Sequence, residues 1–152
     1  MLTLVKNAQL FAPEPLGLCH LLIADQRVAA VLNADETYQL GTLIRTVDLE
    51  GRRVIPGLVD PLVHYIGGGG EGGFGNRTAE LSLEDACASG VTTLVGALGT
   101  DALTRTPANL IGKARELAAG GLSTYAYTGS YQLPPVTLTG SVASDILYIP
   151  EF

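Results

Sequence analysis

Pro56-Gly57-Leu58-Val59-Asp60-Pro61-Leu62-Val63-His64, continued as Tyr65-Ile66-Gly67-Gly68-Gly69-Gly70-Glu71-Gly72-Gly73, is the stretch on which the fold turns. Pro-Gly is a strong chain breaker, and the pattern differs on its two sides. After it, Leu58 to His64 reads as an apolar strand that runs directly into six glycines wrapped around one carboxylate. On a strand, side chains alternate between faces, so Asp60, Leu62 and His64 are expected on the same one.

Downstream, a helical stretch is expected over Glu80 to Ser89, with Gly90 past its end; glycine there accepts the left-handed backbone of a helix terminus. Val91 to Leu98 reads as a buried strand. Thr106-Pro107 then opens a second helix, threonine capping it and proline at the first helical position. Leu110, Ile111, Ala114, Leu117 and Ala118 fall on one face of that helix, Gly120-Gly121 closes it, and Ser123 to Thr128 is a third strand. Strand starts at 58, 91 and 123 give steps of 33 and 32 residues. That spacing is the beat of strand–helix units in a parallel α/β fold. A closed eight-unit barrel needs about 250 residues, so residues 57–152 hold about three units. The expected fold class is α/β, the start of a (β/α)8 TIM-type barrel; an open three-stranded sheet is the alternative.

Upstream, residues 1–56 read as a small antiparallel β-unit. Leu2 to Val5, Leu21 to Ala24 and Arg27 to Leu32 are β-prone, the last two joined by the hairpin-length connection Asp25-Gln26. A looser stretch, Asn33 to Leu43, precedes a further pair, Thr46 to Leu49 and Arg53 to Ile55, joined through Glu50-Gly51.

Chemistry-bearing residues gather at strand ends, where barrel folds place their sites. His64 is either a metal ligand through neutral imidazole or a polar residue satisfied locally. The glycine run allows close backbone approach. It lacks the Lys-Ser/Thr and following helix of a phosphate-binding loop, which leaves a flexible linker, an anion-binding nest of amides, or a frame for Glu71 as the acceptor of an ammonium group. Gly99-Thr100-Asp101 and Thr128-Gly129-Ser130-Tyr131 place further hydroxyls on the same rim, with Asp101 read as a turn residue. His20 lies away from this rim and is read as structural. Cys19 and Cys87 form no metal or redox pattern and are read as small buried apolar residues.

Composition narrows the classes. Hydrophobic residues make up 47% and charged residues 16%, which excludes a disordered chain, and a net charge of −6 argues against phosphate-driven nucleic-acid binding. No apolar run reaches 18 residues and no signal-peptide pattern opens the chain, so a cytoplasmic protein without a membrane role is expected.

Pro-Gly-Leu-Val-Asp at 56–60 followed by His64 resembles the entry strand of the metal-dependent amidohydrolase superfamily. GGGGEGG at 67–73, GTD at 99–101, TGSY at 128–131, Arg77-Thr78 and TLTGS at 137–141 resemble the isoaspartyl dipeptidases in particular, up to about Ile149. Dihydroorotases and hydantoinases fit less well, because they place other residues after the first strand. The resemblance implies a (β/α)8 barrel joined to a small β-sandwich built from both termini, homo-oligomers, and hydrolysis of β-aspartyl dipeptides with two zinc ions. It implies that His64 binds metal, that Glu71 receives the substrate's α-ammonium with Gly69 and Gly70 beside it, and that Thr100 contacts substrate. It makes Tyr131 both a substrate contact and the catalytic residue that polarises the scissile carbonyl.

Two departures accompany it. Leu62 stands where the family has the first zinc histidine, and an aliphatic side chain cannot coordinate zinc. The chain is also read as a truncated N-terminal portion, ending before the family's bridging carboxylated lysine, two further histidines and catalytic aspartate. The 152-residue chain alone is therefore expected to lack peptidase activity. The alternative is a non-catalytic remnant that binds small amino-acid-like ligands or partner subunits; Leu62 favours it, while Glu71, Thr100 and Tyr131 favour the enzyme.

Overall fold

A computed structural model describes residues 1–36, 38, 41 and 44–152. The looser stretch expected from Asn33 to Leu43 lies partly outside the described residues. The chain divides into two compact units, Met1–Pro56 and Gly57–Phe152.

The first unit is a single five-stranded sheet. β1 (Leu2–Phe11) pairs antiparallel with β2 (Pro15–Ala24), which pairs antiparallel with β3 (Arg27–Asn33) across Asp25-Gln26. β4 (Arg45–Asp48) and β5 (Arg53–Val54) do not form the expected antiparallel pair: each runs parallel to β1, beside successive stretches of it. The cause lies at Asn7, where β1 bulges with φ 54°. The Asn7 side chain donates to both carboxylate oxygens of Asp48, at 2.8 and 2.9 Å. Its carbonyl accepts from the Gly51 amide at 2.8 Å, while the Gln9 amide donates to the Arg52 carbonyl at 3.0 Å. Glu50-Gly51 thus steps the chain around the bulge without reversing it. The unit is a mixed sheet, where an antiparallel β-unit was expected. His20 is buried and its Nδ1 accepts from the Asn7 amide at 3.1 Å, a structural role.

The second unit alternates strands and helices: β6 (Leu58–Val63), α1 (Leu83–Ala88), β7 (Val91–Gly96), α2 (Pro107–Ala119), β8 (Ser123–Ala126) and α3 (Val142–Tyr148). Its sheet, in the order β6-β7-β8, is wholly parallel. α1 begins later than expected because Ser82 caps it, accepting from the Asp85 amide at 3.0 Å. α2 starts as read: Thr106 and Asn109 close a reciprocal capping box, with Pro107 in the first turn. Leu110, Ile111, Ala114 and Leu117 bury against the sheet with Leu94 and Ala126. Cys19 is buried, but Cys87 is exposed, its neighbour Ala86 being the α1 residue that faces inward.

Tyr65 is the centre of this core. It is fully buried, its hydroxyl donates to the Tyr125 carbonyl at 3.2 Å, and its carbonyl accepts from the Leu81 amide at 3.0 Å. The ring lies where a side chain at position 96 would project: a Cβ there would stand 2.1 Å from the ring carbons. Burial raises the Tyr65 hydroxyl's pKa well above that of an ordinary tyrosine.

Overpacking of this kind costs about 1–3 kcal/mol, so Gly96→Ala is expected to lower the urea unfolding midpoint. Gly112, inside α2 with open space around its Cβ position, is the contrast: Gly112→Ala is expected to raise stability by about 0.5–1 kcal/mol. Equal behaviour of the two variants would refute the packing account.

Candidate functional site

The C-terminal ends of β6, β7 and β8 carry two cavities, divided by the chain itself. Gly99 and Tyr131 line one, while their successors Thr100 and Gln132 line the other.

The first cavity, about 290 Å³, holds His64, Leu62 and Tyr131. His64 Nδ1 lies 3.0 Å from the Ala97 carbonyl. A carbonyl only accepts, so Nδ1 carries a proton, and in the neutral tautomer this leaves the lone pair on Nε2. A metal-binding histidine is commonly oriented in this way. Gly68 and Gly99 flank the ring so closely that a Cβ on either would stand 3.0 and 3.1 Å from its carbons. Of Asp60, Leu62 and His64, expected on one strand face, Leu62 and His64 line this cavity together, while the pairing shifts between Asp60 and Val63, where Pro61 has no amide to contribute. The Asp60 carboxylate instead accepts from the Leu62 amide at 3.1 Å. Leu62 is 63% exposed and Tyr131 79% exposed.

The second cavity, about 330 Å³, holds Gly70, Glu71, Arg77, Thr100 and Asp101. Thr100 donates its hydroxyl to Glu71 Oε2 at 3.0 Å. The carboxyl of Glu71 lies below its ordinary range, chiefly because its own backbone amide donates to it and then because Thr100 does. Beside it, Arg77 pairs with Asp101 at 3.1 Å. Asp101 also accepts from the Leu103 and Thr104 amides at 3.1 and 2.9 Å, as the turn residue it was read to be. The Thr104 hydroxyl leads the effects that hold its carboxyl at about 2. Among the described residues no cation pairs with Glu71, so its charge is hydrogen-bonded but not neutralised.

Between the cavities runs the glycine loop, which is neither a linker nor a nest. Gly69 lines neither cavity but bridges to Arg77. The amides of Gly68 and Gly70 are engaged by Thr78 Oγ1 and the Asn76 carbonyl, both at 2.7 Å, and so are unavailable to an anion.

Two buried charges organise this rim, and neither has a local sequence signature. Arg105, 7% exposed, donates to the carbonyls of Gly68, Gly69 and Thr78 at 3.1, 3.3 and 3.2 Å. Asp145 is fully buried and accepts from the Thr139 hydroxyl at 2.6 Å, the Leu138 and Thr139 amides at 2.9 and 2.7 Å, and the Thr128 hydroxyl. It ties the end of β8 to the start of α3. The one signal near Asp145 is the hydroxyl-bearing run TLTGS at 137–141, a few residues before it.

A metal centre is not complete here. Among the described residues no group of three or more His, Cys, Asp or Glu side chains could hold an ion. His64 fits as one donor, but a catalytic zinc needs about three protein ligands.

Two solved structures of beta-aspartyl dipeptidase from the thermophilic, keratin-degrading Fervidobacterium islandicum AW-1 resemble this chain. One is 46% identical with a TM-score of 0.93 over 99% of this chain and 41% of that one. The other, in complex with the β-Asp-Leu dipeptide, is 45% identical with a TM-score of 0.88, covering 99% and 39%. The chain matches the N-terminal portion of beta-aspartyl dipeptidases. It spans about two-fifths of their length. A curated relative, L-hydantoinase of Paenarthrobacter aurescens, is 34% identical over 92 residues, 60% of this chain and 19% of that protein. An L-hydantoinase structure from Arthrobacter aurescens, 24% identical with a TM-score of 0.52 over 77% of this chain and 25% of its own, shares the fold. No protein-family model matches the chain.

Burial alone would raise the Asp145 carboxyl, but its four hydrogen bonds outweigh that and hold it at about 2. Its unfolded value is about 3.9. Between the two, the unfolded chain binds more protons than the folded one, so stability present above pH about 4 is lost as pH falls towards about 2. Asp145→Ala is expected to cost about 1–3 kcal/mol for each amide left unpaired. Asp145→Asn is expected to flatten the stability loss between pH 4 and 2 without abolishing it, because Asp101 titrates in the same window. An unchanged slope for Asp145→Asn would refute this assignment.

Proposed function

We propose that this chain supplies the substrate-recognition part of a β-aspartyl dipeptidase site. In this reading Glu71 receives the α-ammonium of a β-aspartyl dipeptide, with Gly70 beside it allowing close approach and Gly69 holding the loop. Thr100 fixes the carboxylate and contacts the substrate, and Tyr131 is the catalytic residue that polarises the scissile carbonyl from the facing cavity. The observation that carries this is the state of Glu71. Its carboxylate is ionised at neutral pH and bonded by a hydroxyl, while the adjacent Arg77 is taken by Asp101. An ionised carboxylate with no cationic partner suits an incoming ammonium, and hydrogen bonds between charged groups are the strong ones.

The parallel sheet is in keeping with the opening strands of a (β/α)8 barrel. Helices cover the face carrying Leu94 and Ala126, while Val59 and Tyr125 on the other face are 59% and 51% exposed. Parallel sheets are otherwise covered on both faces. The family's zinc would take His64 Nε2 as one ligand here and supply an electrophile for hydrolysis. The described residues offer no complete donor set, so we infer that this chain alone binds substrate without turning it over. The second reading, a non-catalytic ligand-binding relative, is favoured by Leu62, an apolar side chain lining the cavity beside His64.

Calorimetric titration with β-Asp-Leu is the test. Binding is expected for the chain, weakened about tenfold or more by Glu71→Gln, as expected for a hydrogen bond to a charged group, and similarly by N-acetylation of the dipeptide. Equal affinity for the acetylated dipeptide would remove the ammonium assignment. No hydrolysis is expected with or without added zinc; turnover would favour a complete site over a recognition half.

A further inference from the structure

We infer that Arg105 is a positioning residue for the loop that carries Glu71, acting through three backbone carbonyls and touching no ligand. The inference rests on the reading of Glu71 as the ammonium acceptor. The loop from Gly67 to Thr78 has a stem, Gly68 to Gly70 against Asn76 to Thr78. It is closed by the Gly68 amide on Thr78 Oγ1 at 2.7 Å, the Thr78 amide on the Gly68 carbonyl at 3.1 Å and the Gly70 amide on the Asn76 carbonyl at 2.7 Å. Arg105 reaches both sides of this stem with one planar group. Nη1 donates to the carbonyls of Gly68 and Gly69, and Nη2 donates to that of Thr78. Glu71 follows the stem directly, so whatever fixes Gly68 to Gly70 fixes its origin.

Three observations separate this from an arginine that merely fills space. Arg105 is 7% exposed, and among the described residues no carboxylate pairs with it. Removing an ion from water costs free energy that only well-placed dipoles offset, and here the loop carbonyls are those dipoles. Its place in the chain is also unfavourable for a cation. Arg105 immediately precedes the α2 cap Thr106, at the helix end where the macrodipole is positive. The helix therefore gains nothing from the charge, and the loop does. Finally, the seat is shaped for it: a Cβ at Gly67 would stand 2.6 Å from Nη2 and 2.4 Å from the Thr78 carbonyl oxygen. That close approach accounts for a glycine where the run begins. A lysine ammonium is a single point of charge and lacks the rigid fork that spans two strands.

Amide hydrogen exchange on the chain and its Arg105→Met and Arg105→Lys variants tests this without any ligand. In Arg105→Met the amides of residues 68–73 are expected to exchange at least tenfold faster, while those of β7 and α2 keep their original rates. Arg105→Lys is expected to fall between. Unchanged exchange in the loop, or a uniform rise across β7, α2 and the loop, would overturn the inference. If Arg105→Met does not fold, Arg105→Lys is judged by the same criterion. Titration of the same proteins with β-Asp-Leu completes the test, with affinity expected to fall at least tenfold in Arg105→Met. Failure of the unmodified chain to bind would count against the Glu71 reading, while exchange still decides the clamp. Full affinity in a variant with a loosened loop would show that Arg105 does not position Glu71.

Discussion

The Tyr65 ring packed into the gap left by Gly96 is the contact on which the rest of the second unit depends. Tyr65 follows His64 and precedes the glycine loop, and its hydroxyl reaches the carbonyl of Tyr125 on β8. One buried side chain therefore registers the end of β6 against β7 and β8, and sets the height at which both cavities open. Its ring needs a position on β7 with no side chain, and only glycine provides one. Cores packed at crystal-like density leave no slack for a methyl group here. The imidazole of His64, seated between Gly68 and Gly99, inherits its place from this contact.

The rim is then built with buried charges solvated by dipoles. Arg105 is surrounded by carbonyls, and Asp145 by amides and hydroxyls. Each is satisfied without an opposite charge, and each ties a loop that lines a cavity to the helical layer. Such groups are costly when one partner is lost, because the remaining donors or acceptors stay buried and unpaired. That asymmetry makes them effective at specifying a single loop conformation. A pair of apolar residues would bury well but would tolerate several arrangements of a glycine-rich chain.

What could be read in the sequence follows from how local each signal is. The Thr106-Pro107 start of α2 and its buried stripe are set by residues within a few turns, and the structure has them where the pattern places them, except that Ala118 is exposed near the helix end. The parallel sheet follows from the spacing of strand starts. Glu71 and Thr100 meet because both follow strand ends in one parallel sheet, and that too was legible. The courses of β4 and β5 were not, because Asn7 redirects them from 41 residues away through its bond to Asp48. Nor was the register shift between Asp60 and Val63, although Leu62 and His64 line one cavity as their spacing suggests. Arg105 and Asp145 look like ordinary surface charges in sequence. Only the fold reveals their partners, backbone carbonyls for Arg105 and two amides with the Thr128 and Thr139 hydroxyls for Asp145.

The two cavities differ in how complete they are, and the difference has a physical origin. The Glu71 cavity draws its polar groups from one loop and the two segments after β7 and β8, all within the second unit. In it Arg77 answers Asp101, and Glu71 keeps one negative charge without a cationic partner among the described residues. The His64 cavity has an oriented imidazole, but its other walls are Leu62, Ala97, Leu98, two glycines, the hydroxyl residues Thr128 and Ser130, and exposed tyrosines. A single imidazole holds a divalent ion weakly, since affinity grows with the number of converging donors. The Glu71 cavity is therefore preorganised by these residues, whereas a metal ion at His64 would need donors that the described residues do not provide. Leu62 deepens that asymmetry, because it sits on the cavity wall itself and adds apolar surface where a second donor would have the most effect.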